Sequence, residues 1–184
     1  MKHLILACMA LVLAMGTAKA DDITEALQSA IEAYEEGDTQ YALEELDYAK
    51  QLLQALKTDA LVGFLPEAPD GWTREVDTEM NAGMAFMGGG TGAEATYNGD
   101  GQSMTITVMA DNPMVAGMAG MIGNAALIGA KIERIGREKF MVMEGEINGL
   151  IDNRILVKAS GGEVDAMLEL LETMDFKALG QFGS

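Results

Sequence analysis

Hydrophobic residues between positions 22 and 60 recur every three or four residues, which is the spacing of an amphipathic α-helix. Gly37 interrupts the pattern, and Asp38 or Thr39 can cap a second helix that follows it. We therefore predict an antiparallel helical hairpin. The residues expected to face inward are Ile23, Leu27, Ala30, Ile31 and Tyr34 in the first helix, and Ala42, Leu46, Ala49, Leu53 and Leu56 in the second.

The pattern changes to a period of two after the linker 65–71, in which two prolines and a glycine stop the helix. Alternation over 93–98 and 103–110, with Asn98-Gly99-Asp100-Gly101 between them, predicts a β-hairpin. The other predicted elements are strands at 72–76, 131–135, 139–143 and 154–159, helices from Pro113 to about Leu127 and over 163–174, and turns at Gly136 and Asn148-Gly149. The fold class is α+β: an N-terminal antiparallel helical hairpin, then a mostly antiparallel sheet covered by helices.

Residues 1–20 have the features of a signal peptide. Lys2 is followed by an apolar run from Leu4 to Met15 and by an Ala18-Lys19-Ala20 cleavage motif. We expect a mature chain that begins near Asp21 and is periplasmic or secreted, with a helical hairpin at 21–64 and an α+β domain at 65–184. Ile5-Leu6-Ala7-Cys8 loosely resembles a lipobox, but the apolar stretch before Cys8 is too short to favour lipidation.

Removal of this leader would take away the chain's single cysteine, Cys8, and its single histidine, His3. The mature chain would then lack the groups for Ser–His or Cys–His catalysis and for imidazole or thiolate zinc sites. Twenty-nine acidic residues would face ten basic ones once Lys2 and Lys19 are removed from the twelve, giving a net charge of −19. Such a charge repels nucleic acids and anionic lipid, so neither is an expected partner. No cofactor is predicted. Because these catalytic groups would be missing, the sequence favours a protein that is not an enzyme, without deciding the question.

Two segments carry weak family resemblances. The phrase from Ala33 to Leu43, with its central Gly37-Asp38, resembles the turn of a single tetratricopeptide-type hairpin over residues 23–57. Such repeats need about three copies to bury a core, so one copy implies packing on another surface. Residues 65–180 resemble PsbP-like α/β/α domains in the Leu65-Pro66…Gly71-Trp72 opening and in the closing strand and helix, Leu156-Val157…Ala166…Leu170-Leu171…Met174-Asp175. That likeness implies a layout and no functional residue.

The helix predicted from Pro113 is unusual because 114–130 contains no charge and includes Gly117, Gly120 and Gly123. Each interior glycine costs about 1 kcal/mol of helix stability relative to alanine. Something is therefore expected to offset about 3 kcal/mol. Three readings are open: a helix lying tightly on the sheet, a surface for self-association or for a partner, and membrane insertion. Membrane insertion is disfavoured because a membrane span needs about twenty apolar residues, whereas the segment 114–130 is shorter and contains Asn124.

Methionine is the remaining chemical signal. Met80, Met84 and Met87 have spacings of four and three, and Met114, Met118 and Met121 repeat them. Thioethers bind Cu(I), and these spacings would place three sulfurs on one helical face. The same spacing is also typical of a buried helix face, and methionine also suits an adaptable partner surface.

These observations favour an exported, non-enzymatic binding or accessory protein that acts through protein–protein contact. The expected partner is another envelope protein or a second copy of the chain. The alternative is a small-ligand or Cu(I) binding protein that uses the methionine clusters.

Overall fold

The computed structural model describes residues 15–77 and 89–183, which form two compact units divided after Leu56. We call residues up to Leu56 the hairpin unit and residues from Lys57 the sheet unit. The order of elements is helices, strands, helix, strands, helices, which confirms the predicted α+β class. Residues 1–14, which include most of the predicted leader with His3 and Cys8, lie outside the described residues, as do Met80, Met84 and Met87. Cleavage after Ala20 stays a prediction.

The first two helices of the described residues are α1 (Met15–Glu36) and α2 (Thr39–Val62). Gly37 ends α1 with a φ of 87°, a conformation that glycine adopts at no steric cost. The carboxylate of Asp38 then accepts a hydrogen bond from the Tyr41 amide at 3.0 Å, so Asp38 caps α2. The predicted stop and start signals are both confirmed.

The strands of the described residues are β1 (Thr73–Asp77), β2 (Thr91–Gly99), β3 (Gln102–Ala110), β4 (Lys131–Ile135), β5 (Glu138–Met143), β6 (Glu146–Ile151) and β7 (Ile155–Ser160). These seven strands form one sheet in the order β1-β2-β3-β7-β6-β5-β4, and every neighbouring pair is antiparallel. Two further helices, α4 (Val164–Glu172) and α5 (Phe176–Gly180), follow the last of these strands.

The main core lies on one face of this sheet, where α4, α5 and the end of α2 supply buried side chains. Its fully buried residues include Tyr97, Ile106, Phe140, Val157 and Leu171. Met141 and Leu156 alternate with core residues and therefore point to the other face. Helix α3 (Pro113–Gly123) contacts β6 and β7 and is followed by a 3-10 turn, Ala125–Ile128. The described helices include none that is both long and apolar enough to cross a membrane.

The turn predicted at Asn148-Gly149 is wrong. Both residues lie inside β6, and the chain instead turns at Glu144 and Gly145, which have positive φ values of 53° and 80°. Gly149 faces Phe140 across the ladder, and a Cβ at Gly149 would lie 2.2 Å from Cε1 of that ring. Gly149 is therefore required by a ring that packs over the strand, and Asn-Gly composition alone could not distinguish this role from a turn.

Candidate functional site

The helices of the hairpin unit meet along a seam of alanines. Ala26, Ala30 and Ala33 of α1 and Ala42 and Ala49 of α2 are all buried, together with Ile23. Small side chains allow two antiparallel helices joined by a two-residue connection to approach closely. The prediction of which residues face inward is therefore only partly right. The predicted alanines and Ile23 are buried, but the other large apolar residues of that set are exposed.

The large apolar residues of the hairpin unit remain accessible. Ile31 is 58% exposed, Tyr34 is 70% exposed and Leu43 is 59% exposed. They line a groove with a volume of 690 Å³ whose walls come from both helices: Leu27, Ala30, Ile31, Tyr34, Glu35, Thr39, Ala42, Leu43 and Leu46. Contiguous exposed apolar surface of this kind is typical of an interaction site.

The hairpin unit that carries this groove is strongly acidic. Residues 21–56 contain ten acidic side chains and one basic side chain, Lys50. Glu35 lines the groove itself. On another side of the hairpin unit, Glu45 accepts a hydrogen bond from the Tyr41 hydroxyl and thereby raises the Tyr41 pKa. The unit therefore combines an apolar groove with a strongly negative surface.

The glycine-rich helix α3 does not use its glycines for packing. Gly117, Gly120 and Gly123 are exposed, and a Cβ built at any of them would meet no atom within 4 Å. Helix α3 contacts β6 and β7, but not through these glycines, so the expectation that they permit a close approach to the sheet is wrong. The helix is also held at its start, where Asn112 accepts a hydrogen bond from the Met114 amide at 2.9 Å and donates one to the Gly89 carbonyl at 2.5 Å.

The three methionines of α3 are at least partly accessible. Met114 is 50% exposed, Met121 is 40% exposed, and Met118 is half-buried. Their spacing along one helix is as the sequence indicated, but the partner cluster at Met80, Met84 and Met87 lies outside the described residues. Cu(I) binding by these thioethers stays a prediction. In residues 15–77 and 89–183, no group of three or more His, Cys, Asp or Glu side chains is placed to hold a metal ion.

A larger site, which the sequence did not indicate, is a cleft of 820 Å³ in the sheet unit. Its walls come from three places: the segment after α2, the β2–β3 turn, and α4 with the turn that follows. We call it the Trp72 cleft. Its lining comprises Gly63, Phe64, Leu65, Pro66, Glu67, Ala68, Pro69, Trp72, Asp100, Gln102, Met104, Ala166, Glu169, Leu170, Thr173, Met174 and Asp175.

The indole of Trp72 is fixed in one wall of the Trp72 cleft. Its Nε1 donates a hydrogen bond to Oδ2 of Asp100 at 3.2 Å. The ring packs on Gly99, where an added Cβ would lie 2.3 Å from indole Cδ2. The sequence assigned Gly99 and Asp100 only to a hairpin turn, so their contact with Trp72 was not predicted.

Arg74 and Tyr97 hold the segment after α2 against the sheet. Nη2 of Arg74 donates to the carbonyl oxygens of Val62 at 3.1 Å and of Leu65 at 3.5 Å, which satisfies backbone groups at the end of α2. The Tyr97 hydroxyl donates to the Pro66 carbonyl at 2.7 Å. These contacts fix the wall that contains Pro66 and Glu67.

Burial raises the pKa of Tyr97 to about 12, although the nearby Arg74 acts in the opposite direction. Because the folded pKa lies above the ordinary value of 10, the protonated hydroxyl stabilises the fold fully below pH 10, and this stabilisation is lost as the pH rises toward 12.

Tyr97→Phe is therefore expected to lower the free energy of unfolding by about 1–3 kcal/mol at pH 8, because the Pro66 carbonyl loses its partner. Between pH 10 and 12 the deficit should shrink, since only the wild type carries the raised Tyr97 pKa. Urea unfolding followed by the emission of Trp72, the only tryptophan, measures both values. If the free energy of unfolding fell equally in the two proteins between pH 10 and 12, the raised pKa assigned to Tyr97 would be contradicted.

Comparisons with protein-family models, with curated proteins and with solved structures found no match to the chain. The resemblances to PsbP-like domains and to a tetratricopeptide-type hairpin therefore stay predictions.

Proposed function

We propose that the chain is an exported, periplasmic or secreted, non-enzymatic binding or accessory protein that acts through protein–protein contact. The observation that carries the proposal is the apolar groove of the hairpin unit. The large apolar side chains of both helices are exposed in this groove, while alanines make the contact between the helices. A groove with walls from both helices suits an amphipathic helix from a partner.

The charge of the hairpin unit indicates the chemistry of that partner. Ten acidic residues against one lysine favour a helix with basic residues beside its apolar face. A second copy of the same hairpin would bring two strongly negative surfaces together, which disfavours self-association through this groove. We therefore commit to a basic amphipathic helix of another envelope protein.

The groove can be tested with a designed peptide helix that has leucines at positions i, i+3, i+4 and i+7 and lysines beside them. The mature protein is expected to bind it, and the double variant Ile31→Ser/Leu43→Ser should weaken binding about tenfold, since both side chains are replaced at a buried contact. Leu53→Ser is the matched control, because Leu53 is 47% exposed on α2 but does not line the groove. Calorimetry gives the affinities, and circular dichroism checks that each variant folds.

Three outcomes would count against the proposal. The peptide could fail to bind, the groove and control variants could weaken binding equally, or a glutamate version of the peptide could bind as tightly as the lysine version. Sedimentation of the protein alone tests the alternative: a dimer that Leu43→Ser dissociates would assign the groove to self-association.

A further inference from the structure

We propose that the Trp72 cleft binds a short peptide segment in which a basic side chain lies next to a large apolar one. This site is separate from the groove of the hairpin unit and does not depend on it. The cleft has a volume of 820 Å³, within the usual range for sites that bury a bound ligand.

The floor of the Trp72 cleft is apolar. Met104, Leu170 and Met174 are buried, and Phe64 and Trp72 are half-buried beside them. A ligand side chain placed there would remove apolar surface from water on both partners, which favours a large aliphatic or aromatic residue.

The rim of the Trp72 cleft carries charge of one sign. Glu67, Asp100, Glu169 and Asp175 line it, and no lysine or arginine does so among the described residues. Three of these carboxylates already have one partner: Glu67 lies 3.6 Å from Arg74, Asp100 accepts from Trp72, and Asp175 accepts from the Ala178 amide at 2.9 Å. Each carboxylate can accept further hydrogen bonds, so these contacts hold the rim in place and still leave acceptor positions for a ligand.

The position of Trp72 joins the two features. Its indole is held against Gly99 and Asp100, so an aromatic face and a carboxylate lie in the same wall. A guanidinium or ammonium group placed here would meet both the ring and the carboxylate. The apolar floor next to this wall then requires a second, uncharged side chain in the same ligand. A peptide supplies both groups, whereas an isolated arginine would leave most of the volume unfilled.

The experiment uses the mature protein and the peptide acetyl-Phe-Arg-Leu-Arg-amide, with Trp72 emission and calorimetry as readouts. The matched ligand replaces both arginines with citrulline, which has nearly the same shape but no charge. We expect the arginine peptide to change Trp72 emission on saturation, and the citrulline peptide to bind about tenfold more weakly.

Two variants of α4 locate the binding site. Glu169→Gln removes a carboxylate from the rim and should weaken binding about twofold to fivefold. Glu172→Gln makes the same change on an exposed residue of the same helix that does not line the cleft, and should leave the affinity unchanged. Both positions are exposed, so neither variant should disturb folding.

The proposal is overturned if the citrulline peptide binds as tightly as the arginine peptide, if both variants have the same affinity, or if no binding is detected. It is also overturned if acetyl-arginine-amide alone binds as well as the tetrapeptide, which would assign the site to a small cation. Binding of the leucine–lysine helix to the hairpin groove should be unaffected by Glu169→Gln, so failure at one surface is distinguishable from failure at the other.

Discussion

Replacing Gly149 with alanine is expected to lower the free energy of unfolding of the sheet unit by about 2 kcal/mol. Gly149 and Phe140 are cross-strand partners on β6 and β5. An added Cβ would lie 2.2 Å and 2.4 Å from two atoms of the Phe140 ring, well inside van der Waals contact. Phe140 has no exposed surface and lies 5.3 Å from Phe176, measured between ring centroids, so its ring has little space into which it can move.

A double-mutant cycle separates this clash from a general effect of alanine in a strand. In a Phe140→Leu background the smaller side chain leaves room, so adding Gly149→Ala should cost about 1 kcal/mol less than it does in the wild type. Urea unfolding followed by Trp72 emission reports on the sheet unit alone, because the only tryptophan of the chain lies there. Equal costs in both backgrounds would show that the ring is not what excludes a side chain at Gly149.

The same position shows why the sequence predicted part of this fold and missed another part. Signals that act between neighbouring residues were read correctly: Gly37 and Asp38 separate α1 from α2, α3 begins at Pro113, and Asp100-Gly101 forms the β2–β3 turn with positive φ at both residues. Asn148-Gly149 has the composition of such a turn, but its role is set by Phe140, eight or more residues away in sequence. Local composition does not encode that contact.

The candidate sites were less predictable than the fold. Helical periodicity identified the apolar residues of the hairpin but could not show that Ala30 and Ala49 would make the seam while Ile31 and Leu43 stayed outside. That choice depends on how closely the two helices approach. The Trp72 cleft combines segments more than a hundred residues apart, from Phe64 to Asp175, so only the tertiary structure brings its lining together.

Substituting alanine for Gly117, Gly120 and Gly123 together is expected to stabilise α3 by about 2–3 kcal/mol. Each glycine lies in the helix, none has a positive φ, and an added Cβ at each meets open space. Alanine therefore gains helix propensity at all three positions without a steric cost. Tight packing was expected to offset the helix-propensity cost of these glycines, but none of the three makes such a contact among the described residues.

Hydrogen exchange of the α3 amides measures this effect directly, since α3 can open locally without unfolding the sheet. Slower exchange in the triple variant is the expected result, together with a higher urea midpoint if α3 unfolds with the sheet unit. Gly129→Ala is the control of opposite sign, because Gly129 has a φ of 76° that alanine adopts only with strain. Unchanged or faster exchange in the triple variant would contradict the outward orientation of these glycines. It would mean that the added methyl groups clash with neighbouring atoms, whereas the structure places open space at all three positions.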